Sequence, residues 1–297
     1  MNPVAVVLST AGGVGLIGLA LLDAFAALFS HVKRGTLSHA LVRAMWSTCH
    51  RLPGTGALGL AGPVSILIVL ASWVVMLTIG WALVYWPWMP GHFLHTAELD
   101  ASGSSLHDSL YFSLVTLATL GYGDISPLSG WLRMVAPLEA LLGLGLLTGC
   151  VSWLLSIFPV LSRRRALAYE IHLLEEVRID PDDPGPPSPL PCSVYADLTS
   201  RLVASERDLV TFPTITYYFH DDDIRFALPA VMGHLLELAE EARRQVSLPD
   251  VHFHGGLLLR AIDDFAASIA ERFHLPDRGS TREVLEAYAR DHAIGAD

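Results

Sequence analysis

Two glycines on either side of a tyrosine form the stretch of this chain whose residue types could do chemistry. Residues 119–124 read Thr-Leu-Gly-Tyr-Gly-Asp and lie between two long apolar runs. Glycine lacks a Cβ, so Gly121 and Gly123 can adopt the unusual alternating backbone angles that point successive carbonyl oxygens at one axis. Such oxygens can replace the hydration shell of a potassium ion. The pattern therefore predicts a cation site, to which the Thr119 hydroxyl adds an oxygen at the inner end.

The other residues of this stretch are expected to support the same site. Leu120 and Tyr122 should point away from the ion axis and wedge the loop in place. Asp124 follows at the outer mouth, where a ring of carboxylates would concentrate cations. A tight glycine turn between two helices is the alternative interpretation, but such a turn does not require long apolar runs on both sides.

Three apolar runs are long enough to cross a bilayer, which takes roughly 20 residues of helix. They cover residues 3–29, 64–86 and 131–161. A fourth run, residues 106–120, is too short to cross and is predicted to be a helix that is either re-entrant or buried. Non-helical backbone at membrane depth is tolerated where it is buried in protein or lines water, and the loop after this helix meets that condition.

Basic side chains are concentrated in two segments that flank these spans. Four lie between the first and second spans and three follow the third: Lys33, Arg34, Arg43, Arg51, Arg163, Arg164 and Arg165. Since cytoplasmic loops carry an excess of Lys and Arg, both segments are predicted to be cytoplasmic. The protein is then expected to be a multi-pass protein of the cell (inner) membrane. Its N-terminus and residues 88–130 are expected to lie outside the cell. No helix carries arginines at a period of three, so no voltage sensor is predicted.

Charge divides the chain into two halves. Residues 1–161 hold five basic and six acidic side chains, whereas residues 162–297 hold 14 arginines and 24 acidic side chains. The second half is thus an acidic soluble domain, which argues against nucleic acid as a partner. Helical patterns over 224–246, 256–273 and 281–293 predict that it is mainly α-helical. No motif in it identifies a ligand.

The segment 111–127 resembles the pore loop of the potassium channel superfamily. That family's filter reads T-V/I/L-G-Y-G-D after an aromatic-rich pore helix, and here it reads T-L-G-Y-G-D, with Tyr111 and Phe112 at the aromatic positions. The unit from about 63 to 161 is similar to the two-helix pore module of bacterial potassium channels. The resemblance covers roughly a third of the chain.

This resemblance implies an all-α membrane protein. Its pore module would hold an outer helix, a re-entrant pore helix with filter, and an inner helix. The expected divisions are an N-terminal transmembrane helix (1–30), a cytoplasmic or interfacial linker (31–62), the pore module (63–161) and a helical cytoplasmic domain (162–297).

The implied function is passive conduction of K⁺ through a pore in the lipid bilayer. One filter loop per chain requires several chains around one axis, most simply a homotetramer. The chain would not be an enzyme, and we expect no cofactor and no metal site beyond K⁺ at the filter.

Two positions depart from the family pattern. Ala118 stands where many relatives have a second threonine, and Val115 stands where some relatives carry a carboxylate behind the filter. Filter stability and inactivation are affected by these departures more than selectivity is.

Three residues inside the spans have more than one interpretation. Gly143 falls where the family often has a hinge glycine, but it could equally allow close packing against the second span. Glu139 is an ionisable group inside a span, so it could tune conduction, or it could make a structural hydrogen bond behind the filter. Asp23 in the first span is expected to bond to a neighbouring helix.

A glycine motif in the first span and a mixed apolar and basic segment after it each have two interpretations. Gly13, Gly15 and Gly18 form a G-x-G-x-x-G that lacks the strand, helix and acidic residue of a dinucleotide site, so they are expected to pack helices. Residues 38–52 are predicted to be either an interfacial helix on the membrane or a polar loop.

Three other functions remain open from the sequence. A poorly selective cation channel would share the same pore. A subunit of an active potassium uptake system usually carries several filter repeats, whereas this chain has one. A membrane-tethered sensor would use the pore module as an anchor for the acidic domain.

Overall fold

The computed structural model describes residues 2–29, 36–49, 56–95, 105–178, 189–221, 223–273, 275 and 279–292. These residues form α-helices with a single two-stranded ribbon. In chain order the elements are α1 (Pro3–Phe29), α2 (Thr36–Cys49), α3 (Gly56–Tyr85), α4 (Met89–His92), β1 (Phe93–His95), α5 (Ser105–Leu117), β2 (Ile125–Pro127), α6 (Gly130–Arg178), α7 (Cys192–Thr211), α8 (Pro213–Tyr218), α9 (Leu228–Arg244), α10 (Pro249–Phe273) and α11 (Thr281–Asp291). Short 3₁₀ turns cover Trp86–Trp88 and Ile224–Phe226.

The helices group into two compact units. One, the pore unit, contains residues 1–41 and 65–155, and the other, the C-terminal unit, contains residues 42–64 and 156–297. The divisions predicted at residues 30, 62 and 161 stay a prediction. The all-α character expected from the sequence is confirmed.

Three helices have the length and composition of membrane spans. They cover Pro3–Leu28, Gly62–Trp88 and Gly130–Val177, which confirms the three predicted runs. The third belongs to α6, a helix of 49 residues. At 1.5 Å per residue α6 is about 73 Å long, whereas the hydrocarbon core of a bilayer is about 30 Å thick. α6 is therefore more than twice as long as one perpendicular crossing requires.

A pair of glycines brings α1 close to α3. A Cβ added at Gly13 would lie 2.4 Å from the Gly80 carbonyl oxygen, and one added at Gly80 would lie 2.7 Å from Ile17 Cγ1. Neither position could hold a larger residue without separating the helices. The packing expected of the glycine motif is thus present at Gly13, while Gly15 and Gly18 have open space around them.

Asp23 ties α1 to two other elements of the pore unit. Its carboxylate accepts hydrogen bonds from the Trp73 indole Nε1 at 2.9 Å and from the Leu37 backbone nitrogen at 3.0 Å. The Ser38 hydroxyl and backbone nitrogen donate to the same carboxylate. The first turn of α2 is therefore capped by a side chain of α1. The predicted partnering of Asp23 with a neighbouring helix is present.

The C-terminal unit is a bundle in which α10 packs against α7 and α9. Its core is formed by buried aliphatic side chains that recur at helical spacing, among them Leu198, Leu202, Met232, Leu235, Leu258 and Ile262. A capping box formed by Ser280 and Glu283 starts α11. The helical content predicted for this half of the chain is confirmed.

The linker segment 36–49 is a helix rather than an irregular loop. Val42, Trp46 and Cys49 lie on its buried side. The Trp46 ring is 5.3 Å from the Tyr218 ring and 5.3 Å from the His292 ring, measured between centroids. The apolar side of this helix thus packs on protein within the C-terminal unit.

The three arginines that follow the last predicted span all have acidic partners in the C-terminal unit. Arg163 makes a two-pronged contact with Asp208 at 2.8–2.9 Å. Arg165 donates to Asp221 at 2.6 Å. Between them, buried Arg164 donates to the carbonyls of residues 216 and 219 at 2.7 and 2.9 Å. These three arginines bond the C-terminal half of α6 to α7 and to the segment around α8.

His292, at the end of α11, is buried between two backbone carbonyls. Its Nδ1 lies 3.0 Å from the Tyr288 carbonyl oxygen, and its Nε2 lies 2.7 Å from the Tyr217 carbonyl oxygen. Burial, together with the charge of nearby Arg164, lowers the pKa of this imidazole to about 4. The two carbonyls and Asp291 act in the opposite direction but are outweighed.

We expect acid to destabilise the protein through His292. An unfolded histidine binds a proton near pH 6.5, whereas folded His292 stays neutral until about pH 4. The contribution of His292 to the free energy of unfolding is then complete above pH 6.5 and falls by about 1.4 kcal/mol per pH unit below it. The loss reaches about 2 kcal/mol at pH 5. Thermal unfolding of the full-length protein in detergent at several pH values measures this slope. His292→Gln should flatten it, and an unchanged slope in that variant would contradict the assignment.

Candidate functional site

The predicted re-entrant helix ends at the residue where the sequence changes from apolar to glycine-rich. α5 runs from Ser105 to Leu117. Beyond it, the backbone nitrogens of Thr119 and Leu120 each donate to a carbonyl of the last helical turn, on Thr116 and Val115, at 2.9 Å. These bonds close the helix, and the chain then leaves it as a non-helical segment.

The backbone of the glycine-rich stretch alternates in handedness. Thr119, Gly121 and Gly123 have φ of +58°, +56° and +80°. Thr119 is the one residue other than glycine with positive φ in the described ranges. A left-handed residue at every second position turns successive carbonyl groups to the same side of the strand. This is the geometry that the two glycines were predicted to permit.

Within this stretch, the carbonyl oxygens of residues 119–122 have no backbone partner among the residues that the structure describes. No backbone hydrogen bond ends on the oxygens of residues 119–122. In a single chain the side chains of Leu120 and Tyr122 are 57% and 67% exposed. The stretch therefore presents unpaired oxygens and large uncovered side chains, two features that would be costly unless another surface met them.

A short ribbon holds the far end of the stretch. β1 pairs with β2 antiparallel, with His95 opposite Ile125 and Phe93 opposite Pro127. The Leu128 nitrogen adds a bond to the His92 carbonyl at 2.8 Å. The segment after α3 is thereby bonded to the segment that leaves the glycine-rich stretch.

Asp124 lies between that stretch and the ribbon. The Tyr111 hydroxyl of α5 donates to Asp124 Oδ2 at 2.7 Å, and the Ile125 nitrogen donates to Oδ1 at 3.0 Å. The Tyr111 bond holds the pKa of the Asp124 carboxyl below its usual value. Asp124 therefore keeps its negative charge at the position where the outer mouth was predicted.

Glu139 of α6 faces the back of α5. It is fully buried, and its Oε1 accepts a hydrogen bond of 2.6 Å from the Ser113 hydroxyl. The Tyr85 hydroxyl lies near the same carboxyl group. However, the Tyr85 hydroxyl and Glu139 Oε2 form no hydrogen bond in the described part of the chain. The arrangement favours the structural interpretation of Glu139, in which it links the inner helix to the pore helix.

Aromatic rings fill the space beside this contact. The ring centroids of Tyr85 and Phe112 are 5.1 Å apart, and those of Phe93 and Phe112 are also 5.1 Å apart, in both cases edge to face. Phe112 is buried, whereas Tyr111 is 39% exposed. Of the two aromatic residues noted in the sequence, one therefore packs the core and the other bonds to Asp124.

Gly143 allows α6 to touch the end of α5. A Cβ added at Gly143 would lie 2.0 Å from the Leu117 carbonyl oxygen. No substituent fits at that distance. The structure thus gives Gly143 a packing contact with the pore helix rather than with α3, and α6 continues as a helix through this position.

An apolar cavity of about 360 Å³ lies next to this contact. It is lined by α3, the end of α5 and α6, and Leu144 and Leu147 of α6 are among its walls. Thr119 also borders it. The start of the glycine-rich stretch therefore opens toward this space.

Comparison with known proteins gives matches over the same part of the chain. Residues 64–158 match a family model described as ion channel. Two-pore potassium channel 5 of Arabidopsis thaliana is 43% identical over 19% of this chain and 15% of its own length. Protein LctB of Geobacillus stearothermophilus is 41% identical over 25% of this chain and 59% of its own length. The "Uncharacterized membrane protein YdjJ" of Bacillus subtilis is 29% identical over 46% of this chain and 40% of its own length.

Residues 64–158 therefore form an ion channel domain, and the chain is similar to potassium channels over this part. The channel spans less than two thirds of the length of each of these relatives. No solved structure matches the channel. The resemblance predicted from the glycine-rich stretch is confirmed at the level of the superfamily, and so is the pore module.

The structure brings together most of the channel's predicted site residues. Residues 119–123 form one non-helical segment with alternating backbone handedness, Asp124 follows at its end, and Gly143 lies against the helix that precedes it. Glu139 lies behind that helix and does not contact the strand in the described part of the chain. The roles assigned to these residues stay predictions.

Two supporting contacts of the channel were missed in the sequence. Ser113 is the hydrogen-bond partner of Glu139, and Tyr111 is the partner of Asp124. A serine in the apolar part of α5 was the available signal for the first. The second depends on the backbone turn between residues 119 and 124, which spacing along the chain does not reveal.

Proposed function

We propose that four copies of this chain form a potassium-selective channel in which Thr119–Gly123 is the selectivity filter. The observation that carries the proposal is the alternation of handedness at Thr119, Gly121 and Gly123. It points successive carbonyl oxygens to one side, and such oxygens replace the hydration shell of K⁺ in a filter. The two-pore potassium channels among the relatives support K⁺ as the permeant ion.

A homotetramer follows from the one-sided geometry of the strand. One strand supplies oxygens on one side of an ion, so four strands around an axis are needed to surround it. The exposed side chains of Leu120 and Tyr122 would then pack outside the strand, against neighbouring subunits. Four Asp124 carboxylates would form a ring that attracts cations to the outer mouth.

The channel is proposed to lie in the inner cell membrane with its C-terminal unit in the cytoplasm. The arginines after the membrane-crossing part of α6 support this orientation, with the N-terminus outside. Conduction is passive, so no covalent step is required of any residue and the chain is not an enzyme. Gly143 is the proposed point at which α6 bends during gating, although its contact with Leu117 adds a packing role.

The test is ion flux through purified protein in liposomes that hold a potassium gradient. We expect barium-sensitive K⁺ flux that exceeds Na⁺ flux by at least about tenfold, because carbonyl cages select K⁺. Gly123→Val should abolish the flux, since a β-branched residue is a strained outlier at φ +80°. Gly130→Ala is the matched control, because an added Cβ there meets nothing within 4 Å.

Each alternative function has its own outcome in this experiment. Equal K⁺ and Na⁺ flux would make the chain a poorly selective cation channel. A folded, tetrameric protein that passes neither ion would favour a membrane-tethered sensor. A monomer in mild detergent would overturn the fourfold site itself.

A further inference from the structure

The C-terminal half of α6 carries a face that is largely exposed in the described part of the chain. Its members recur at intervals of three, four and four residues, over two complete repeats: Leu155, Phe158, Ser162, Ala166, Tyr169, Leu173 and Val177. Phe158, Leu173 and Val177 are 63%, 40% and 76% exposed. We refer to these seven residues as the α6 stripe. Five of the seven are large and hydrophobic, which is unusual for an uncovered surface.

The opposite face of the same segment is already occupied. Leu167, Ala168 and Ile171 are fully buried in the C-terminal unit. Arg163 and Arg165 bond to acidic residues of that unit on the flanks. The α6 stripe is therefore the side of the helix that the C-terminal unit does not bury.

Lipid cannot cover the whole stripe. A helix of 49 residues is about 73 Å long, more than twice the thickness of the hydrocarbon core. The three arginines at 163–165 mark the point where the helix leaves the apolar region, since charges are expensive inside it. Tyr169, Leu173 and Val177 follow that point and face water in a single chain.

The spacing is that of helices that associate with copies of themselves. A repeat of 11 residues over three turns gives 3.67 residues per turn and keeps the members on one face of a right-handed supercoil. The stripe also continues a row of exposed residues on the preceding part of α6. Val151 precedes Leu155 by four positions and is 50% exposed. An interface that begins between inner helices would thus run on along the stripe.

An open groove beside the stripe has room for a neighbouring side chain. It encloses about 390 Å³ and is lined by Ala166 and Tyr169 of the stripe and by Phe226. The rings of Tyr169 and Phe226 lie 5.2 Å apart. Arg165, Asp221 and Asp223 form the polar part of the same wall. An apolar floor with a charged rim is the composition of a protein interface.

We propose that the α6 stripe packs against the same stripe of neighbouring copies, as a parallel right-handed helical bundle that extends the pore beyond the membrane. The inference rests on the proposed function, because fourfold assembly brings four α6 helices around one axis. It adds a second interface that the filter does not require. The C-terminal units would then be carried on the outside of this bundle, and a ligand that spreads them would act directly on the inner helices.

Disulfide cross-linking of the full-length channel tests the bundle. In a background with Cys49, Cys150 and Cys192 replaced by alanine, Leu173→Cys and Val177→Cys are placed on the stripe. Glu175→Cys is the matched control, since it is two residues from each, 37% exposed, and on the far side of the helix. After mild oxidation we expect at least about fivefold more disulfide dimer from the stripe positions than from the control.

K⁺ flux through the same preparations separates the two proposals. Conducting, potassium-selective protein in which both stripe positions cross-link no better than the control would overturn the bundle and leave the proposed function intact. Absence of selective K⁺ flux and of fourfold assembly in the unmodified protein would overturn the proposed function and with it the basis of the bundle. Val177→Cys, at the most exposed position, keeps the test valid if Leu173→Cys fails to fold.

Discussion

Gly143→Ala is expected to abolish selective K⁺ flux, although alanine is otherwise the best helix former. The new Cβ would lie 2.0 Å from the Leu117 carbonyl oxygen, which is backbone at the end of the pore helix. Ordinary contact requires more than 3 Å, so α5 or α6 must move by more than about 1 Å. Displacement of that size at the base of a filter is expected to lower flux at least about tenfold.

Two glycines on the same helix provide matched controls. A Cβ at Gly145 meets nothing within 4 Å, and one at Gly149 meets Leu28 Cδ1 at an ordinary 3.5 Å. Gly145→Ala and Gly149→Ala should keep the K⁺ to Na⁺ flux ratio and gain up to about 1 kcal/mol of stability from helix propensity. Flux ratios in liposomes and melting temperatures in detergent measure both effects.

The same series separates packing from hinge bending. If Gly143 acts only as a hinge, alanine there should alter how often the channel opens and leave the flux ratio unchanged. If it acts through its contact with Leu117, selectivity should fall and the melting temperature should fall with it. A Gly143→Ala channel with normal flux, selectivity and stability would contradict the structure at this point.

Asp23→Asn is expected to destabilise the pore unit by roughly 3 kcal/mol, because it removes an acceptor for buried donors. Both carboxylate oxygens are used: Oδ1 accepts from Leu37, and Oδ2 accepts from Trp73 and the Ser38 hydroxyl. An amide offers one oxygen, so whichever way it is turned, donors on one side face an NH₂ group. Asp23 and Trp73 are both buried, so water does not replace the lost bonds.

Loss of the cap should also be visible in α2 itself. Without the Asp23 carboxylate, the first amides of α2 lose their acceptor, and hydrogen exchange at residues 37–41 should accelerate at least about tenfold. Ser72→Ala is the control, since the Ser72 hydroxyl bonds only to the Val69 carbonyl of its own helix. If Asp23→Asn melts at the same temperature as Ser72→Ala, the carboxylate does not anchor α2.

Local chemistry explains why the pore unit could be predicted so fully. Apolar runs of 20 or more residues leave few structures other than a spanning helix, because backbone groups in lipid must bond within their own segment. Gly121 and Gly123 are informative for a similar reason, since their sequence spacing matches the alternation in backbone handedness. The helical pattern of the acidic half and the capping box at Ser280 are likewise local signals.

Contacts between distant residues could not be predicted in this way. Glu139 was recognised as unusual, but its partner Ser113 is 26 positions away. Asp23 was expected to meet a helix, yet sequence did not show that it caps α2 and binds Trp73, 50 positions on. Gly143 was placed as a hinge or a packing residue against α3, whereas its neighbour is the end of α5.

Sequence alone determined the apolar spans, the short helix between them and the glycine-rich stretch that follows it, because each depends on interactions within one segment and its solvent. The tertiary structure decided which buried polar groups meet, which glycine permits contact and which face of α6 is left uncovered. Those features depend on how helices cross, and a crossing places side chains together by geometry that spacing along one chain does not encode.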